Sequence, residues 1–173
     1  ILVHGDTTTS MAAAIAGFYL EIPVGHVEAG LRTHTLRSPF PEEFNRRVSG
    51  MIANWHFAPT RLNRDNLLAE RVSDSQIFVT GNTVVDALHH IRARINSEID
   101  LKTRIKNQLS HYLEFDPQDA GRVILLTCHR RENFGEGLKQ VCSAVTALAT
   151  ANPKNHFIFP MHLNPNVSEH VKE

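Results

Sequence analysis

The sequence predicts an α/β protein built on parallel sheets. Two observations predict the class and a third says where its chemistry lies. Short apolar strands alternate with helix-length segments along the chain, and no hairpin signal joins one strand to the next. Polar clusters recur just after the strands, where open parallel sheets carry their ligands.

A length of 173 residues fits one or two domains. The 42% hydrophobic and 21% charged content is that of an ordinary globular protein. A formal net charge of zero gives no electrostatic argument for nucleic acid or an anionic membrane as partner. The apolar runs fall far short of the ~18 residues of a spanning helix, and no signal peptide is visible. Cys128 and Cys142 make no disulfide framework, so a reduced, cytoplasmic setting is expected. Ile1-Leu2-Val3 reads as the finish of a buried strand and 167–173 as the beginning of a helix, so a piece of a longer protein is expected.

Taken in order, Ile1-Leu2-Val3 leads through His4-Gly5-Asp6 into a threonine-capped, alanine-rich helix over 11–20. Residues 22–27 form the second strand. Pro41, Glu42 and Glu43 open a helix running to about Ala53, with proline in the first turn and acids at the positive end of the dipole. Residues 55–58 are a strand, 62–71 a helix with Leu67 and Leu68 inside, and 77–80 a strand. Gly81-Asn82 is the expected domain junction. Two helices with charged outer faces follow over 84–95 and 101–113. The apolar 123–127 reads as a buried parallel strand, 138–149 as an amphipathic helix, and 156–160 as a strand.

Four polar clusters fall at strand ends: His4-Gly5-Asp6, His26-Val27-Glu28, the run from His129 through Arg130 and Glu132 to Asn133, and His162-Leu163-Asn164. Each has a structural alternative. Asp6 could cap the helix after it, Glu42 and Glu43 could serve the helix dipole, and the histidines and arginines could be hydrogen-bonded or solvated. Recurrence at one strand end after another favours chemistry. Carboxylates converging in one cleft repel one another, which separates acids from bases. Asp6, Glu28 and Glu42 or Glu43 could then supply a general acid and a general base. His129 and Arg130, after a strand and before a helix, suit a diphosphate. There is no Walker lysine loop and no GxGxxG. His26-x-Glu28 has the spacing of two metal ligands, but residues two apart on any strand point the same way. Cys128 reads as a small packed side chain.

Six motifs in register then carry a family likeness: HGDTTT (4–9), GHVEAGLRT (25–33), PEEFNR (41–46), TGNTVVDAL (80–88), TCHRRENFG (127–135) and HLNPNV (162–167). Together they closely resemble the non-hydrolysing UDP-N-acetylglucosamine 2-epimerases of bacteria, over almost the whole chain. Cys128 departs from the pattern, since relatives commonly have a small or hydroxyl residue there.

The resemblance implies a GT-B-like fold of two Rossmann-like domains with parallel sheets, both incomplete here. Residues 1–81 would be the latter part of the first domain, and 82–173 the hinge and start of the second. A basic loop before Ile1 and a Ser-Gly-Gly loop after Glu173 are expected in the longer protein. The implied reaction is interconversion of UDP-GlcNAc and UDP-ManNAc without a redox cofactor or metal, through 2-acetamidoglucal, for cell-envelope polysaccharide synthesis. Motif match implies Asp6, Glu28 and Glu42 as acid/base carboxylates and His129 beside the diphosphate. It implies Arg130, Glu132, His162 and Asn82 as substrate-binding residues, Arg130 and His162 at a second, regulatory UDP-GlcNAc pocket. Glu43 is expected to matter less than Glu42. A homodimer is expected at full length, with no nucleic acid or membrane partner. A hydrolysing relative releasing ManNAc, or a piece with no turnover of its own, are the alternatives.

Overall fold

The computed structural model describes residues 1–117, 119–128 and 136–160. The chain divides into two compact units, Ile1–Ser97 and Glu98–Glu173.

The first unit holds a four-stranded parallel sheet in the order β1 (Leu2–His4), β2 (Gly25–Val27), β3 (Trp55–Ala58), β4 (Ile77–Val79). Helices α1 (Thr8–Tyr19), α2 (Glu42–Ile52) and α3 (Arg61–Ala69) make the crossovers, and α4 (Thr83–Ser97) follows β4. Strands and helices alternate as the sequence implies. Each strand is adjacent to the next in sequence, so all the carboxyl ends lie along one edge.

Register puts Val3, His26, His56 and Ile77 in one row across the sheet. All four are buried. Val3 packs with Ala14 of α1 and Val24, while Ile77 packs with Ala29, Ala58 and Leu67 of α3. Two histidines therefore sit at the centre of an otherwise apolar row.

Local chemistry sets the element ends. Thr7 caps α1 by accepting from the Ser10 N–H. The helix closes with Glu21 in the left-handed region (φ 56°), the Ile22 N–H donating to the Gly17 carbonyl and the Glu21 N–H to Phe18. This explains why β2 begins at Gly25 and not at Ile22: the Ile22 donor is spent on the helix end, and Pro23 has none. Helix α3 is capped by Thr60 and ends the same way at Arg71 (φ 68°). Pro41 stands at the N-cap of α2, not inside its first turn, and Glu42 and Glu43 follow it.

The second unit contains α5 (Ile99–Ser110), β5 (Arg122–Leu125), α6 (Glu136–Ala151) and β6 (Asn155–Ile158), with β5 and β6 parallel. Here β5 is only half-buried and Leu125 is 66% exposed, unlike the buried strand expected from its apolar sequence. Among the described residues β5 and β6 pair only with each other, which accounts for the partial burial of β5. Leu138 of α6 is fully buried, Val141 and Val145 are half-buried, and Leu148 is exposed.

Candidate active site

Strands β1 and β2 end alike, each in a left-handed turn, at Gly5 (φ 69°) and Glu28 (φ 69°). The Gly5 N–H donates to the Val27 carbonyl at 3.0 Å, which ties the two turns together. Gly5 suits this conformation and also leaves room: a side chain there would meet Glu28 Oε2 at 3.2 Å. Glu28 is not a glycine, so a left-handed backbone at this strand end is uncommon for its residue type. Its carboxylate lies over the Gly5 backbone, with His4 Nε2 at 3.7 Å.

Asp6 follows Gly5. Its side chain does not cap α1, because Thr7 does. Instead Asp6 Oδ2 takes an ion pair from Arg46 Nη2 at 2.7 Å, and its carbonyl accepts from Asn45 Nδ2 at 2.9 Å. The first turns of α2 thus hold Asp6 through both backbone and side chain. Asp6 and Glu28 keep 29% of their side-chain surface open, enough for a ligand to reach either.

Glu42 begins α2 and is half-buried. Its carbonyl accepts from Arg46 Nε at 3.3 Å. Glu43 is wholly buried. Its Oε2 accepts the Thr33 N–H at 3.1 Å and lies 3.7 Å from Arg46 Nε. Its Oε1 has no partner among the described residues. Asn45 and Arg46, which hold Asp6, were not singled out in the sequence, and Glu43 entered only as the alternative to Glu42. The signal was present as an acid and a base three apart on one helix.

Beneath these turns His26 Nε2 meets the Gly5 carbonyl at 2.9 Å. Burial pushes the His26 imidazole below its usual range, and burial pushes His56 down to about 4. Both rings are therefore neutral near pH 7, and His26 Nε2–H donates. His26 is committed to Gly5 and Glu28 faces His4, so the pair suggested by the His26-x-Glu28 spacing does not converge. Among the described residues no three His, Cys, Asp or Glu side chains cluster as a metal site.

The loop after Glu28 is fixed at several points. Gly30 (φ 86°) lies against α3, where a Cβ would stand 2.2 Å from the Asn63 carbonyl oxygen, and its own carbonyl accepts from Asn66. Arg32 is buried in a two-pronged pair with Glu70, at 2.7 and 2.8 Å, and donates to the Leu31 carbonyl. Thr33 is held by Glu43.

The structure thus gathers Asp6 and Glu28 around Gly5, with the Glu42 end of α2 attached through Arg46. Asn82 lies beyond β4, at the sheet edge opposite β1, and its Oδ1 accepts the Val84 N–H at the start of α4. His129, Arg130, Glu132 and His162 lie outside the described residues. Cys128 is a half-buried free thiol.

The model of the UDP-N-acetylglucosamine 2-epimerase family matches residues 1–173. A UDP-N-acetylglucosamine 2-epimerase of Yersinia pestis is 53% identical over 171 residues, covering 99% of this chain and 44% of that protein. The Escherichia coli K12 enzyme of that name is 50% identical over the same coverage. A crystal structure of UDP-GlcNAc 2-epimerase from Neisseria meningitidis bound to UDP-GlcNAc superposes with a TM-score of 0.87 at 46% identity, covering 99% of this chain and 44% of that one. The chain therefore spans about 44% of the length of the relatives it matches. The expected fold class, α/β with parallel sheets and GT-B-like, holds. With the family model covering every residue and two curated relatives at half identity, the chain belongs to the UDP-N-acetylglucosamine 2-epimerase family.

Proposed function

We propose that the protein carrying this chain interconverts UDP-GlcNAc and UDP-ManNAc. The observation that supports this most directly is the pair of carboxylates, Asp6 and Glu28, on the two linked left-handed turns at adjacent strand ends. Inversion at C2 next to a good leaving group at C1 needs a base on one face of the sugar and an acid on the other. A carboxylate takes the C2 proton. Its electron pair becomes the C1=C2 bond, and the C1–O bond breaks with its pair leaving on UDP. The product is 2-acetamidoglucal. A second carboxylic acid then protonates C2 from the opposite face while UDP oxygen re-forms the bond to C1. The sugar nucleotide keeps its composition, with C2 now carrying a proton from the second acid, and proton exchange with solvent resets the two carboxyl groups, so no net oxidation occurs.

Asp6, Glu28 and Glu42 are assigned to the proton transfers, and His129 to the departing diphosphate by its motif. Arg130, Glu132, Asn82 and His162 are assigned to binding, with Arg130 and His162 serving a second, regulatory UDP-GlcNAc. The domain boundary is assigned to Gly81-Asn82, ahead of the division into compact units after Ser97, with α4, which buries none of its residues, as the connecting hinge between the two positions. The whole protein is assigned as a homodimer.

In deuterated water, UDP-GlcNAc recovered from the full-length protein should carry deuterium at C2. Recovery of undeuterated sugar nucleotide after prolonged incubation would sink the proposal, and accumulating free ManNAc would mark a hydrolase instead. Glu28→Gln or Glu42→Gln should lower kcat by about 10²–10⁴-fold with the fold intact. Residues 1–173 alone, less than half of the relatives' length, should show little or no turnover. Measurable epimerisation by them would overturn that.

A further inference from the structure

We infer that Glu43 is a positioning residue which sets the orientation of the Asp6 carboxylate through Arg46. This rests on the epimerase reading above for its kinetic consequence, while its geometric content stands apart from that reading.

The connection is continuous. The Thr33 N–H donates to Glu43 Oε2 at 3.1 Å. The same oxygen lies 3.7 Å from Arg46 Nε, and Arg46 Nη2 meets Asp6 Oδ2 at 2.7 Å. A guanidinium is planar, so fixing its Nε edge fixes where Nη2 points. The Nε edge lies between the Glu42 carbonyl and the Glu43 carboxylate, and only the second carries full charge. Glu43 in turn is immobilised by complete burial and by the loop at Thr33.

Two features separate this from a merely structural acid. First, Glu43 Oε1 is buried without a partner among the described residues. Its partnered oxygen, Oε2, serves the Thr33 N–H and faces Arg46 as well, so the buried carboxylate is directed at the path to Asp6. Second, Asp6 is held twice by independent contacts. Asn45 Nδ2 fixes its backbone carbonyl, and Arg46 fixes its side chain. Disturbing Glu43 therefore re-aims the carboxylate while leaving the turn in place. A reacting group displaced by about 1 Å can lose roughly 10²-fold in rate.

The test uses the full-length protein and the variants Glu43→Gln, Arg46→Gln and their double. Glu43→Gln keeps the shape and the acceptor for Thr33 but removes the charge. It should lower kcat by about 10- to 100-fold with KM within about threefold. The double variant should be no slower than Arg46→Gln alone, because both changes act on one path. A kcat within about twofold of the parent, or losses that multiply in the double variant, would overturn the inference. Should Glu43→Gln not fold, Glu43→Asp and Arg46→Lys give the same cycle with charge retained. A crystal structure of whichever Glu43 variant folds reads the geometry directly. The Asp6 carboxylate should be displaced by more than about 0.5 Å; an unmoved Asp6 would refute the positioning role even if the protein proved not to be an epimerase.

Discussion

Two arginines in the first unit are buried against carboxylates, and they do different work. The Arg32 side chain is 1% exposed, and its fork is spent on Glu70 and the Leu31 carbonyl. Its partner is the C-cap residue of α3. The Arg46 side chain is 10% exposed and is divided between Asp6 and Glu43, one at the mouth of the candidate site and one wholly inside. A guanidinium whose geometry is fully matched by one carboxylate is a clamp. A guanidinium shared between a reachable acid and a buried one transmits position. Burial and charge are nearly equal in the two cases, so the difference lies in where the second partner leads.

The largest expected effect breaks the comparison from the Arg46 side. Arg46→Gln leaves Glu43 buried and unpaired, and should cost about 3–5 kcal/mol of stability as well as activity. Urea unfolding and kcat read the two losses on the same full-length sample. Arg32→Gln should also destabilise, by about 1–3 kcal/mol because Glu70 is one-third exposed, yet leave kcat of the folded protein within about threefold. Equal losses of kcat in both variants would erase the distinction.

Two pH effects sharpen it. The Arg32 hydrogen bonds hold the Glu70 carboxyl below its usual range. That contribution is present above the unfolded carboxyl pKa, near 4.3 by general reference, and is lost as pH falls through the lower folded value. Glu70→Gln should therefore flatten the acid limb of stability. His56, pushed to about 4 by burial, acts in the window between about 6.5 and 4. There the unfolded chain binds the proton that the folded chain refuses, so stability falls as pH is lowered, by up to about 3 kcal/mol. His56→Gln should reduce that slope, leaving the part contributed by His26, which burial also holds low; an unchanged slope between pH 6.5 and 4 would show the His56 ring to be freely protonated. The smallest effect is local. Thr7→Ala deletes the cap of α1 next to Asp6 and should cost about 1 kcal/mol in the unfolding free energy, with no special loss of kcat.

Much of the fold was legible because its signals are local. The strand–helix rhythm, the threonine caps at Thr7 and Thr60, and Leu67 as an inner residue depend on neighbours within a few positions. Burial of β5 was misjudged because an apolar strand reads the same whether one or two strands flank it. The start of β2 was misplaced because Ile22 looks like any strand residue until its N–H is seen closing α1 on Gly17. Among the candidate residues, Asp6 and Glu28 stood out through their strand-end positions, whereas nothing local separated Glu43 from Glu42 or showed which of the two is buried.

By itself the sequence determined the class of fold, the family, and which carboxylates stand at strand ends, since each follows from residue type at fixed spacing along the chain. Only the tertiary structure decided how those carboxylates are held. That Glu28 sits in a left-handed turn over Gly5, that Asp6 answers to Arg46 and not to the helix it precedes, and that Glu43 is the buried member of its pair are all matters of contact between segments 10 to 40 positions apart. No local periodicity encodes which buried charge will find which partner. Desolvation and geometry settle that only when the sheet and its helices close together.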